Sequence, residues 1–174
     1  MGKVFVFIEA ANLEQSAKSL GWWVDYKRLY RYFRDNMELG SIRFYCARFG
    51  AAGQNEFFIV LKRIGFKLVS KPIKIIKDKG KVVERKANFD VEIALDAFLL
   101  LDRYSTLFLF SGDSDFDYLV RLLRARGKRV IVVSTKYHIS KELVGSCDKY
   151  INLKKLRPYF ERFKKKRPSF STGG

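Results

Sequence analysis

Cysteine, histidine and acidic residues are all scarce in this 174-residue chain, and each scarcity excludes something. The two cysteines, Cys46 and Cys147, give no disulfide-framework spacing, which fits a reducing compartment. His138 is the single histidine, so a mechanism needing a histidine pair is impossible within a monomer. Its place after Lys136-Tyr137 in a loop reads as a solvated side chain. No apolar stretch reaches the ~18 residues of a membrane span, and the start carries no signal-peptide pattern. A soluble, cytoplasmic protein without a membrane partner is the expectation. Acids are outnumbered by bases, 18 against 35, for a formal net charge of +17. Self-repulsion of that size opposes the compact state and is commonly tolerated when the partner is a polyanion.

What is present is a core: 48% of the residues are hydrophobic, enough for one domain of this length. The run at 4–8 is continuously apolar and rich in β-branched and aromatic residues, as in a strand buried on both faces. Asp25 is placed to cap a helix over 26–37. A strand over 42–49, a helix over 55–64 stopped by Gly65, and a strand over 66–70 follow. Two alternating segments, 73–77 and 81–85, flank Asp78-Lys79-Gly80 and read as a basic β-hairpin. Then come a helix over 88–103, strand 106–110, helix 114–126, strand 129–134, a short helix near Ser140 and a strand over 150–153. Alternation of this kind predicts an α/β fold: a Rossmann-like parallel sheet with helices on both faces and a basic β-hairpin insertion. Residues 1–153 are expected to form the domain. Residues 154–174, rich in Lys and Arg and ending in Ser-Thr-Gly-Gly, are expected to form a partly disordered basic tail.

The most informative stretch is Ser111-Gly112-Asp113-Ser114-Asp115-Phe116. It joins a predicted strand to a predicted helix, and ligands of open α/β sheets bind beyond the carboxyl ends of strands. Ser114 with Asp117 fits a capping box, which leaves Asp113 unexplained because it precedes the cap. At ~100° per residue, Asp90 shares a helix face with Ala94, Phe98 and Leu101, whereas Glu92, Asp96 and Arg103 fall opposite and read as a solvated face. Asp90 is thereby a first-turn carboxylate on the side expected to face the sheet; the competing role is simple stabilisation of the helix N-terminus. Glu9 directly follows the first strand, with Asn12 three residues on as the cap of a short helix over 13–19.

Those residues, in that order, carry a resemblance. Glu9 with Asn12-Leu13, Phe89-Asp90-Val91, Leu95-Asp96 and the Ser-Gly-Asp-Ser-Asp-Phe element resemble the NYN branch of the PIN-like nuclease superfamily, over about residues 4–153. The resemblance implies a divalent-metal site, Mg²⁺ or Mn²⁺, hydrolysing RNA phosphodiesters. By position it makes Glu9, Asp90, Asp113 and Asp115 the catalytic and metal-ligating candidates, with Asn12 and Ser111 in support. One position departs: the family usually has Asp where this chain has Glu9. The extra methylene moves the carboxylate further than a catalytic constellation tolerates without compensation. The family also includes members with inferred regulatory roles.

Carboxylates brought together repel unless a cation neutralises them, and hard cations take oxygen ligands. Lys71, Lys74, Lys77, Lys79, Lys81, Arg85 and Lys86 of the hairpin region, and Lys164, Lys165, Lys166 and Arg167 of the tail, form the charge footprint of nucleic-acid binding. Trp22, Trp23 and Tyr26 are candidates for stacking unpaired bases, against the commoner role of core packing. Three functions remain in competition. They are a metal-dependent ribonuclease acting on RNA (single-stranded rather than duplex), a non-catalytic RNA-binding or regulatory module on the same fold, and a hydrolase of small phosphoesters. A homo-oligomer is compatible with each. An aspartyl-phosphate phosphatase wants Asp-x-Asp after the first strand, where this chain has Glu9 and Ala11. Gly112 belongs to no glycine-rich phosphate loop.

Overall fold

The β-branched and aromatic runs form the centre of one sheet. The computed structural model describes residues 2–78 and 81–163, with the side chains of 75–78 and 81–86 outside that description. Strands β1 (Val4–Glu9), β2 (Leu39–Arg48), β3 (Lys67–Pro72), β6 (Thr106–Phe110), β7 (Arg129–Ser134) and β8 (Lys149–Asn152) form a six-stranded sheet in the order β3-β2-β1-β6-β7-β8. Every pairing within it is parallel. Strands β4 (Lys74–Asp78) and β5 (Lys81–Lys86) pair antiparallel as a separate ribbon.

Period-2 alternation divides the core between the two faces of the sheet. Val4, Val6, Ile8, Phe44, Phe108 and Phe110 point to one layer. There they meet Leu13 of α1 (Ala10–Ser19), Leu29 and Phe33 of α2 (Tyr26–Asn36), and Phe58 and Leu61 of α3 (Gln54–Ile64). Phe5, Phe7, Tyr45, Leu107 and Leu109 point to the other layer. Their partners are Ile93 and Ala97 of α4 (Asp90–Leu99), Leu119 and Leu123 of α5 (Asp117–Ala125), and Leu143 of α6 (Lys141–Ser146). Asp25 caps α2 as expected, its Oδ1 accepting the Arg28 N–H at 3.0 Å. Gly65 ends α3 at φ +120°, a conformation that side chains rarely adopt.

Three local expectations need correction. The first concerns α1, which begins at Ala10 with Glu9 in the N-cap position; Asn12 lies inside the first turn and caps nothing. The second concerns the Ser114 box, which does not form. Residues Ser114–Phe116 make a 3-10 turn whose cap is Asp113, its carboxylate accepting the Asp115 N–H, and α5 starts only at Asp117. A 3-10 turn brings the accepting side chain within two residues of its donor, so Asp113 takes the capping role. The third concerns residues past Leu153. Leu153–Leu156 form a 3-10 turn and Arg157–Phe160 form α7, with Leu156 and Phe160 buried in the layer that holds α2. The apolar Leu156 and Phe160, spaced by four, override the basic composition around them. Lys79, Lys164, Lys165, Lys166 and Arg167 lie outside the described residues.

Candidate carboxylate site

The chain runs from β1 outward through β2 to β3, then crosses back to place β6 on the other side of β1. That reversal is the topological switch point of the sheet, and open α/β sheets bind ligands beyond the carboxyl ends of the strands there. The register Ile8↔Phe110 puts Glu9 and Ser111 side by side at those ends. Ser111, fully buried, joins them: its hydroxyl donates to Glu9 Oε2 at 2.7 Å and accepts the Asp113 N–H at 3.2 Å. Gly112 has a packing reason. A Cβ there would lie 2.0 Å from the His138 carbonyl oxygen, so the loop after β7 closes over this turn only if position 112 is bare. Ser140 N–H then donates to the Gly112 carbonyl at 2.9 Å. His138 itself is half-buried rather than solvated, with Nδ1 2.8 Å from Thr135 Oγ1.

Asp90 arrives from the other direction. Helix α4 packs against the Ser114–Phe116 turn and presents Asp90 in its first turn, where the Asn88 side chain bonds both its backbone N–H and its carboxylate. Asp90 and Asp113 both lie near enough to Glu9 to act on its charge. Burial raises the Glu9 pKa, the Ser111 hydroxyl opposes that rise, and the charges of Asp90 and Asp113 add to it. Asp115 is exposed beside Asp113, linked to it through its own N–H at 3.0 Å.

These are oxygen donors, which suits Mg²⁺ or Mn²⁺. Among the described residues, no three acids, histidines or cysteines lie close enough to form a closed metal cage. Mg²⁺ keeps several waters and is held by one or two carboxylates plus substrate phosphates, so an open group of this kind fits it. The N-terminus of α1 opens at the same place, with no acid in its first turn and no side-chain cap, a favourable setting for an anion.

A raised carboxyl pKa has a consequence for stability. The protonated form is favoured by the fold, so this contribution is complete below the ordinary glutamate value and is lost as pH rises through the folded value. Glu9→Gln, measured in EDTA, should therefore raise the melting temperature at neutral pH and remove part of its fall between about pH 4.3 and neutrality. Thermal midpoints of both proteins across that range check it; superimposable curves would show that Glu9 is not strained by its surroundings.

The structure places Glu92 and Asp96 on the sheet-facing side of α4, not on a solvated face. Asp96 Oδ2 accepts from both Arg43 Nη1 and Tyr45 Oη at 2.8 Å, and Glu92 pairs with Lys71. Burial raises the Tyr45 pKa, and Asp96 adds to the rise. The outer face of α4 carries Val91, Leu95 and Leu99, all exposed. Of the stacking candidates, Trp22 is core, Tyr26 packs edge-on against Phe44, and only Trp23 is exposed, at 65%. Lys71, besides pairing with Glu92, lies 4.7 Å over the Phe89 ring, and Lys74 is exposed. Lys77, Lys81, Arg85 and Lys86 belong to the β4–β5 ribbon, their side chains beyond the described set. No helix among the described residues is long and apolar enough to cross a membrane.

Known proteins bear out this architecture. The chain is 32% identical over 173 residues to the Low amplitude and bright protein LabA of Synechococcus elongatus, covering 97% of this chain and 93% of the relative. A crystal structure of a protein of unknown function from Vibrio parahaemolyticus superposes with a TM-score of 0.72 at 24% identity, over 87% of this chain and 93% of that one. That second likeness speaks to the fold. The family model of the NYN domain matches residues 3–154, from the first strand to the last, and the chain belongs to that nuclease-like family.

Proposed function

We propose that this protein is a metal-dependent ribonuclease. The observation that carries the reading is the convergence of Glu9, Asp90 and Asp113 at the sheet's switch point, with Ser111 locking two of them together. Asp113 and Asp90 serve as direct ligands of Mg²⁺ or Mn²⁺, Asp115 as a further ligand or its support. A divalent ion there supplies Lewis-acid polarisation of a phosphodiester and lowers the pKa of a bound water. The remaining work falls to the chain. The open N–H groups of the first turn of α1 draw a phosphate toward the carboxylates. Glu9, at the end of β1 beside them, would serve as a further ligand or position the attacking water. Ser111 holds the Glu9 carboxylate in one orientation, the compensation its longer side chain requires.

A second reading, an RNA-binding or regulatory module without catalysis, has its own support. Each of the three carboxylates already accepts a hydrogen bond from the protein: Glu9 from Ser111, Asp90 from Asn88 and Asp113 from the Asp115 N–H. Incubating labelled single-stranded RNA with the protein in Mn²⁺ or Mg²⁺, and again in EDTA, separates the two. Cleavage that EDTA stops supports the nuclease; binding without cleavage in any divalent ion supports the module.

Either reading makes RNA the partner, held by charge. Reversing Lys164, Lys165 and Lys166 to Glu should weaken binding across unrelated sequences and flatten its salt dependence, by roughly 0.7 in log–log slope per lost single-strand phosphate contact. Affinity measured against salt for both proteins tests this. Identical slopes would remove these three lysines from the phosphate contacts and leave the attraction to the chain's other basic residues.

A further inference from the structure

Beside the carboxylates, at the ends of β1 and β2, lies a cavity of about 400 Å³ that no motif in the sequence announces. It falls within the roughly 300–1,000 Å³ of small-ligand clefts. Its walls are aromatic: Phe57, Phe58 and Phe89 line the interior, and Phe49, 59% exposed, stands at the rim. Glu9 is part of the lining, so the cavity and the carboxylate site share a wall. We propose that this cavity receives one unpaired nucleobase of a single-stranded RNA, stacked against Phe49, next to the phosphodiester held at the carboxylates.

Four features support a base as the occupant. The first is a preset rim. Gln54 Oε1 accepts the Phe49 N–H at 2.8 Å and Gln54 Nε2 donates to the Ala47 carbonyl at 2.9 Å, tying the loop to the end of β2 before any ligand arrives. Stacking on a ring whose backbone is already held loses less conformational entropy than ordering a free loop. The second is continuity with positive charge. Phe57 also lines a cleft between α2 and α3 whose walls carry Lys27, Arg31, Arg34 and Arg63, so a strand leaving the cavity over Phe57 meets phosphate partners. An apolar peptide would have no use for those charges.

The third feature is the polar edge. The Gln54 amide is spent on backbone groups, and the charged lining groups are the carboxylates of Glu9 and Glu14, Glu14 being anchored by the Tyr26 hydroxyl at 2.8 Å. Acceptors of that kind favour bases with an exocyclic amino group over uracil, which flanks its single N–H with two carbonyls. The fourth is inertness. Burial pushes the Cys46 thiol up to about 12, so the one nucleophile in the lining stays protonated and the cavity binds without reacting.

The proposal rests on RNA as the partner, and its test is separable from cleavage. Binding of short single-stranded RNA is measured in EDTA, with Phe49→Ala compared against Tyr118→Ala, a 75% exposed aromatic on α5. Phe49→Ala should lose about 5- to 100-fold in affinity, the range that base–aromatic stacking supports, with an unchanged salt slope. Tyr118→Ala should lose nothing. Oligo-A and oligo-C should bind more tightly than oligo-U, and Glu14→Ala, which removes one of the two acceptors, should narrow that preference. Equal affinities for Phe49→Ala and the parent, or no RNA binding in EDTA, would overturn the pocket. A Phe49 effect in a protein that never cleaves RNA in Mn²⁺ upholds the pocket and sinks only the nuclease.

Discussion

Asp113→Asn should abolish divalent-metal-dependent RNA cleavage and leave the thermal midpoint where it was. The two halves of that expectation have separate causes. Asp113 is exposed, and its structural duty is to accept the Asp115 N–H through Oδ1. A carboxamide oxygen accepts the same bond, so the cap and the turn it starts persist. What the amide lacks is the negative charge that a hard cation requires. The loss should exceed the roughly 10- to 100-fold that follows from removing a group which merely orients a ligand. The measurements are cleavage rates in Mn²⁺ with a melting curve alongside. Full activity would remove Asp113 from the metal site; lost activity with a collapsed midpoint would show that its role is capping after all.

Phe160→Ala should be the most destabilising single change in the chain's last segment, although a reading from composition places that residue in a basic tail. The Phe160 ring is fully buried and lies 5.4 Å from Tyr32 and 6.2 Å from both Phe33 and Phe110. The backbone around it is fastened as well: Asp25 N–H donates to the Phe160 carbonyl at 2.7 Å, and Arg28 donates to the carbonyls of Pro158 and Glu161. Removing a buried phenyl ring costs about 3–5 kcal/mol, transfer and cavity together. At ~2–4 °C per kcal/mol for a chain of this size, the midpoint should fall by roughly 6–20 °C. Truncation after Phe163 should leave it unchanged, because every one of those contacts lies before that point. A similar fall for both proteins would mean that residues 164–174 contribute to the fold.

The strands were largely readable, and the reason is physical. A sheet covered on both faces needs continuous apolar runs, and 4–8, 106–110 and 129–134 have few other uses. Glu9 and Asp113 were legible as acids at strand ends, whereas the pairing of β1 with β6 that makes those ends neighbours is fixed only in the folded sheet. The helix α4 misled. Its wheel has no clean polar side: Val91, Leu95 and Leu99 are apolar and exposed, so periodicity alone did not locate the buried stripe at Ile93 and Ala97. Anchoring the wheel on Asp90 turned Glu92 and Asp96 outward. Their partners are 21 to 53 residues away in Lys71, Tyr45 and Arg43. One signal was available: a tyrosine within a buried strand needs a partner for its hydroxyl, and Tyr45 had none nearby. The aromatic cavity was invisible for a related reason, since Phe49, Phe57 and Phe89 come from three segments whose meeting only the folded sheet decides.

The docking of α7 also sets when, during synthesis, the apolar layer that holds α2 can close. Among the described residues, the layer holding α4, α5 and α6 has all its apolar members once Cys147 has been synthesised. The opposite layer waits for Leu153, Leu156 and Phe160, roughly 1–3 s later at the usual pace of translation. Every acid of the carboxylate site has been made well before then. A chain cut short ahead of Phe160 therefore carries every acid of the candidate site on a body with one apolar side incompletely covered. Chaperones and proteases recognise such surfaces, so an interrupted message should yield a product open to removal.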